Sequence, residues 1–240
     1  MGYEIILFDA DDTLFDYPRA EEHALSSVFR HIGIEESLAR TEETDSYTFR
    51  YKQINSGLWK ELEQGRVTTT ELKVARFRRL FEGDAAFTID ADEISDRYLG
   101  FLGEGHFLFD GAEAVIRNLA KRYRLAIITN GYKDVQLSRI ARSGLANCFE
   151  QVIISEEAGY QKPHTGIFDY AFEKLGYHDR SKMLIVGDSL TSDMQGGLNI
   201  GIDTCWYNPT GKSNGTAVQP KYEIRSLDEL YRIVEPQIET

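Results

Sequence analysis

"ILFDADDTLFD", residues 6–16, runs from apolar residues straight into Asp9, Asp11, Asp12 and Asp16, four acids within eight positions. Like charges that close repel, and a β-strand that ends in carboxylates gains no packing from them. Either the acids cap the strand in solvent, or something positive sits among them. In an extended segment residues two apart face the same way, so Asp9 and Asp11 converge on one side with Thr13 following. The DxDxT spacing alone leaves both readings open.

The rest of the chain narrows the choice. Four further short apolar runs read as buried strands: Leu125–Thr129, Gln151–Ser155, Met183–Gly187 and Asp203–Tyr207, after a first at Glu4–Phe8. They are rich in Ile, Val and Leu without clean alternation, as expected when both faces of a sheet are covered. Helical patterns at about 112–121, 134–143, 163–175 and 191–199 alternate with them. That rhythm implies right-handed crossovers and an α/β fold, a doubly wound, Rossmann-like parallel sheet. From Asp16 to about His106 the rhythm stops. Only amphipathic helical text such as "RAEEHALSSVFRHIG" (19–33) and "TTTELKVARFRRLFE" (68–82) occurs there. A crossover needs far less chain. Residues 16–106 are therefore expected to be an inserted all-helical domain, with 1–15 and 107–240 forming the core.

Composition bounds the partners. The 240 residues carry a formal net charge of −12, which argues against nucleic acid and anionic membranes. Two cysteines, Cys148 and Cys205, lie far apart without CxxC spacing and read as core residues of a reducing compartment. The first apolar stretch, Ile5 to Phe8, is too short for a signal peptide, and Ile6 stands where a myristoylation motif wants Ser or Thr. The expected location is the cytoplasm.

Open parallel sheets bind ligands beyond the carboxyl ends of their strands, and each strand end here carries chemistry. "IVGDSLTSD" (185–193) brings Asp188 to that edge and Asp193 to the start of the next helix. Taken singly, Asp193 could simply favour a helix N-terminus. Two strands that both deliver carboxylates call for a hard cation, with Mg²⁺ the default beside a phosphate. "AIITNG" (126–131) ends in a hydroxyl, an amide and a small residue, Thr129, Asn130 and Gly131, suited to an anion or to an ordinary side-chain cap. "GYQKPHTGIF" (159–168) sets Lys162 before Pro163, which suits a first helical position, so the lysine is expected to project from a helix start. Together these ends describe a phosphoryl-transfer site with a carboxylate nucleophile.

Three lookalikes carry little. "DADEI" (90–94) repeats the acidic spacing without the Thr, at an expected helix start. "TGKS" (210–213), within the turn-rich loop 208–220, resembles a Walker A lysine, but Trp206 occupies the first glycine position. The sequon Asn214-Gly215-Thr216 has no use in the cytoplasm, and the five histidines lack metal-ligand spacing.

DxDxT after a strand, Thr at the end of the second, Lys-Pro before a helix and GDxxxxD closing the fourth resemble the four motifs of the haloacid dehalogenase superfamily. The resemblance covers the whole chain. It implies a sheet ordered 5-4-1-2-3, with the helical insertion as the superfamily's cap. Asp9 would be the nucleophile and Asp11 the acid and base, with Thr13 fixing their loop. Thr129, Asn130, Gly131 and Lys162 would hold the phosphate. Mg²⁺ would sit on Asp9, Asp188 and the main-chain carbonyl of Asp11, with Asp193 supporting from behind.

"FDADDTLFDY" (8–17), the stretch 129–171 and "VGDSLTSDMQGGLNIGIDTCWYN" (186–208) resemble the pyrimidine-nucleotide 5′-nucleotidase branch, although sugar-phosphate and phosphoglycolate phosphatases share most of these features. The partner is then a small phosphomonoester, and the protein a monomer or homodimer. Tyr17 at the start of the insertion, and Trp59 and Arg66 in "LWKELEQGRVTT" (58–69), are candidates to meet its leaving group, with core packing and a solvated helix end as their ordinary readings. A dehalogenase needs no acid for a departing halide, which Asp11 would supply. A phosphomutase fits the branch less well, and a receiver-like phosphoacceptor module needs no ninety-residue insertion.

Overall fold

A computed structural model describes residues 2–34, 46–84 and 89–235. In chain order the elements are β1 (Ile5–Phe8), α1 (Tyr17–His31), α2 (Tyr47–Glu63), α3 (Thr69–Leu80), α4 (Ala91–Glu104), α5 (Ala112–Leu119) and β2 (Arg124–Thr129). There follow α6 (Lys133–Arg142), β3 (Gln151–Ile154), the short α7 (Ser155–Ala158), α8 (Thr165–Leu175) and β4 (Met183–Gly187). Last come α9 (Gln195–Ile200, entered through a π turn at Leu190–Met194), β5 (Asp203–Tyr207), β6 (Tyr222–Ile224) and α10 (Leu230–Val234).

The strands pair in parallel in the order β3-β2-β1-β4-β5-β6. The expected 5-4-1-2-3 order is present, and β6 extends it beyond β5. That strand was not legible: it is a three-residue edge strand in polar text, paired Cys205 to Tyr222. Every residue of β1 is buried, because its alternate side chains enter different cores. Ile6 and Phe8 pack with Val115, Ile116 and Leu119 of α5 and Leu230 and Val234 of α10. Ile5 and Leu7 pack with Ile167, Phe168, Ala171 and Phe172 of α8 and with Ile200 of α9. A strand apolar on both sides is thus stable only between two helical layers.

The chain divides into two compact units, one running to Tyr17 and resuming at His106, the other covering Pro18–Gly105. The second is helical. Thr68 and Glu71 close a reciprocal capping box at the start of α3, satisfying two donors that a helix end otherwise leaves open. Its centre joins the rings of Tyr51, Phe77 and Tyr98, 5.3–5.4 Å apart, with the Arg76 guanidinium 4.5 Å from the Tyr98 centroid. "DADEI" caps α4, with the Asp90 carboxylate accepting from the Asp92 N–H at 3.1 Å.

Both cysteines are free. No helix among the described residues is long and apolar enough to cross a membrane.

Candidate active site

Lys162 is the hub of the sheet's carboxyl edge. Its side chain is 2% exposed, and its ammonium donates to Asp9 Oδ1 at 2.5 Å, Asp193 Oδ1 at 2.6 Å and the Ile128 carbonyl at 2.8 Å. An ammonium has three hydrogens, and each finds a partner. Burial alone would lower its pKa. The carboxylates of Asp193 and Asp9 outweigh that and hold it above the ordinary lysine value.

The expectation that Lys162 projects from a helix start is corrected here. α8 begins at Thr165 with His164 as its cap, so Pro163 lies outside the helix. The Asn130 side chain grips both backbone groups of Lys162, donating to its carbonyl at 3.0 Å and accepting from its N–H at 2.8 Å. Two strand ends are thereby tied together, and the lysine points inward.

The loop after β1 turns back on itself. The Asp9 N–H reaches the Val186 carbonyl at 2.9 Å, and those of Leu14 and Phe15 return to Ala10 at 3.0 and 2.9 Å. Asp12 takes a left-handed conformation (φ 62°), which Asp tolerates better than most residues and which makes so tight a return possible. The Thr13 hydroxyl donates to Asp9 Oδ2 at 3.2 Å, steadying the carboxylate from the side away from Lys162. Burial pushes the Asp9 carboxyl up to about 7, since desolvation outweighs the pull of Lys162 and the charge of Asp193 adds to it.

Asp11 points elsewhere. Its Oδ2 accepts from Gln136 Nε2 at 2.5 Å, and its Oδ1 pairs with the Arg139 guanidinium. Both partners lie on α6, on the face it shares with buried Val135 and Ile140. The sequence reading missed them. Two polar residues on an otherwise apolar helix face were the available signal.

β4 supplies the remaining acids. The Asp193 Oδ2 accepts from the Ser189 N–H at 3.1 Å, so this side chain, 1% exposed, is held at both oxygens. Gly187 makes room for it, because a Cβ there would lie 2.3 Å from Asp193 Oδ2. The Trp206 indole of β5 donates to the Asp188 carbonyl at 2.8 Å, fixing the strand end. Asp9, Asp188 and Asp193 each place a carboxylate oxygen within 4.8 Å of the others. Burial, then the charges of Asp9, Asp193 and Asp12, pushes the Asp188 carboxyl up to about 9. One lysine does not balance these three acids, Asp9 and Asp193 buried and Asp188 half-buried. The donor set, hard oxygens with excess negative charge, fits a divalent cation of the Mg²⁺ type.

Thr129 is buried at the end of β2, its hydroxyl oxygen accepting from the Gly131 N–H at 3.0 Å while its own hydrogen can still be donated. Gly131 lacks a side chain for a steric reason, since a Cβ there would lie 2.1 Å from Gln136 Nε2. The sheet unit therefore assembles Asp9, Asp11, Thr13, Thr129, Asn130, Gly131, Lys162, Asp188 and Asp193 along one strand edge.

The family profile of haloacid dehalogenase-like hydrolases matches residues 3–201. The chain belongs to that family. This haloacid dehalogenase-like hydrolase is 40% identical to the HAD-hydrolase YfnB of Bacillus subtilis over 97% of its own length and 95% of that protein's. A crystal structure of YfnB, bound to magnesium and revealing interdomain movement, superposes with a TM-score of 0.87 over 98% of this chain and all of that one. The pyrimidine 5′-nucleotidase PynA of Streptococcus pneumoniae is 36% identical over 99% of this chain and 98% of its own. The pyrimidine 5′-nucleotidase YjjG of Escherichia coli is 32% identical over 98% and 99%.

Of the three residues singled out for the leaving group, Tyr17 is half-buried as the first residue of α1. Trp59 is half-buried on α2, and Arg66 is exposed just beyond it. Trp59 and Arg66 lie in the helical unit, apart in sequence from every residue of the strand edge.

Proposed function

We propose that this hydrolase is a Mg²⁺-dependent phosphomonoesterase that works through an aspartyl phosphate on Asp9, with pyrimidine nucleoside 5′-monophosphates as substrates. The observation that carries the chemistry is Lys162, buried between Asp9 and Asp193 at 2.5 and 2.6 Å. It fixes a nucleophilic carboxylate and a positive charge at one point, where a phosphate dianion can be held beside them. The two matched 5′-nucleotidases, each alike over nearly the full chain, support the substrate class.

An Asp9 oxygen attacks phosphorus in line with the ester bond. Asp11 protonates the departing oxygen, then takes a proton from the water that hydrolyses the acyl phosphate. The Thr129 hydroxyl and the backbone N–H of Asn130 hold the phosphate oxygens, and the charge of Lys162, its hydrogens given to Asp9, Asp193 and Ile128, offsets theirs from behind Asp9. Thr13 keeps Asp9 aligned, and Asp193 keeps Lys162 in place. Asp9 and Asp188, with the Asp11 carbonyl, would hold Mg²⁺, which when bound offsets repulsion between carboxylate and phosphate.

The helical unit acts as a cap that selects the leaving group through Trp59 and Arg66, with Tyr17 at its entrance, the aromatics stacking on a base and the arginine meeting its carbonyls. Free cysteines and a nucleotide substrate support work in the cytoplasm. A screen of nucleoside monophosphates, hexose phosphates and phosphoglycolate tests this reading. Pyrimidine nucleotides, deoxyribose forms foremost, should show the highest kcat/KM. A hexose phosphate or phosphoglycolate that leads every nucleotide rejects the nucleotidase assignment, and no phosphate release from any of them rejects the phosphatase.

A further inference from the structure

Arg139 is fully buried on a helix face that it and Gln136 share with Val135 and Ile140, where an apolar residue would pack at lower cost. Its guanidinium lies 4.8 Å from the Phe15 ring centroid and pairs with Asp11 Oδ1. One turn earlier on α6, Gln136 turns its Nε2 to Asp11 Oδ2 at 2.5 Å, while its own Oε1, buried, finds no hydrogen-bond partner among the described residues. The amide is oriented for Asp11 at the expense of its carbonyl. Two further features serve the same contact. Gly131 leaves the gap that the Gln136 side chain crosses, and the turn that brings Phe15 back to Asp11 sets the ring beneath the guanidinium.

We propose that Gln136 and Arg139 are positioning residues that hold the Asp11 carboxylate in its working orientation for proton transfer, with Gly131 and Phe15 shaping their seat. This rests on the phosphatase reading above. One donor sits on each carboxylate oxygen, so the plane of the group is fixed, yet each oxygen keeps a second lone pair. Asp11 is 27% exposed, so it is gripped from the buried side and open on the other. As the bond from phosphorus to the ester oxygen breaks and that to Asp9 forms, the proton on Asp11 passes to the leaving oxygen. As water then bonds phosphorus and releases Asp9, its proton passes to Asp11. Without the grip, Asp11 samples other rotamers and meets neither proton at the right moment.

The test is the single-turnover rate of enzyme phosphorylation, by rapid quench and intact mass, in Gln136→Met, Arg139→Met and Arg139→Lys. Two donors are used: a pyrimidine nucleoside 5′-monophosphate, whose alkoxide needs a proton, and p-nitrophenyl phosphate, whose phenolate hardly does. Phosphorylation from the nucleotide should slow by roughly 10-fold or more, and that from p-nitrophenyl phosphate by less than about 3-fold. Phosphoenzyme should then accumulate with the latter, because the hydrolytic step has lost its base. Arg139→Lys should recover part of what Arg139→Met loses. Equal slowing with both donors, or none with either, overturns the positioning role. Gln136→Met, near in shape, decides the matter if Arg139→Met does not fold. Absence of phosphoenzyme in the unaltered protein with both donors overturns the aspartyl-phosphate route of the phosphatase reading instead, and this inference with it.

Discussion

Lys162→Met removes the one cation that Asp9 and Asp193 share, while leaving a side chain of similar length in the same space. Removing one partner of a buried ion pair costs about 3–5 kcal/mol, because the other charge stays behind. Asp193 bears most of that cost. It is 1% exposed and keeps, among the described residues, the Ser189 N–H alone, whereas Asp9, already pushed up to about 7, can take up a proton near neutrality. For a chain of this size the loss should lower Tm by roughly 6–20 °C. Chemical denaturation followed by Trp206 fluorescence, with Trp59→Phe as background, reads the sheet unit alone, since Trp206 lies on β5 and Trp59 on α2. Adding Asp193→Asn to Lys162→Met should recover about 0.5–3 kcal/mol relative to the sum of the two single costs. In the same variant kcat should fall by about 10²–10³, the scale of losing one preorganised electrostatic partner of a developing oxyanion. A loss of less than about 1 kcal/mol, the worth of a solvated surface pair, would refute the reasoning, as would strictly additive costs.

Gly187→Ala would drive a Cβ to 2.3 Å from Asp193 Oδ2, so it should lower Tm and activity together; an unchanged melting curve would show that Asp193 does not need that space. In chelator, protein stability should fall as pH rises between about 4 and about 9: the native state holds protons on Asp9 and Asp188, at about 7 and about 9, that the unfolded chain has already released. Mg²⁺, which binds the ionised acids, should narrow the Tm difference between the two ends of that window, and Asp188→Asn should narrow it without metal. Trp59→Ala and Arg66→Ala should change the ranking of nucleotides by kcat/KM more than they change turnover of p-nitrophenyl phosphate; an unaltered ranking removes those residues from substrate selection.

The five principal strands were legible because each is an apolar run with both faces buried, a pattern few other elements share. The DxDxT spacing suggested that Asp9 and Asp11 converge; in the structure Asp9 meets Lys162 and Thr13 while Asp11 meets α6, and the lysine's burial was not foreseen. A lone lysine before a proline gives no sign that Asn130, thirty-two positions earlier, will hold its backbone. Gln136 and Arg139 escaped for a related reason: nothing local to α6 shows that a turn at Asp12 will send Asp11 toward them. β6 escaped because three residues of mixed polarity at a sheet edge carry almost no periodic signal. Contacts made through space by polar side chains are the part that spacing along a chain records least.

The account's central claim is that phosphorus passes through Asp9. Turnover of a pyrimidine nucleotide with Mg²⁺, quenched in acid and followed by peptide mapping, reads this directly. Phosphate should be found on the peptide that carries Asp9, labile to hydroxylamine as an acyl phosphate, and absent in Asp9→Asn. Phosphate on another residue, or full turnover by Asp9→Asn, would contradict the account.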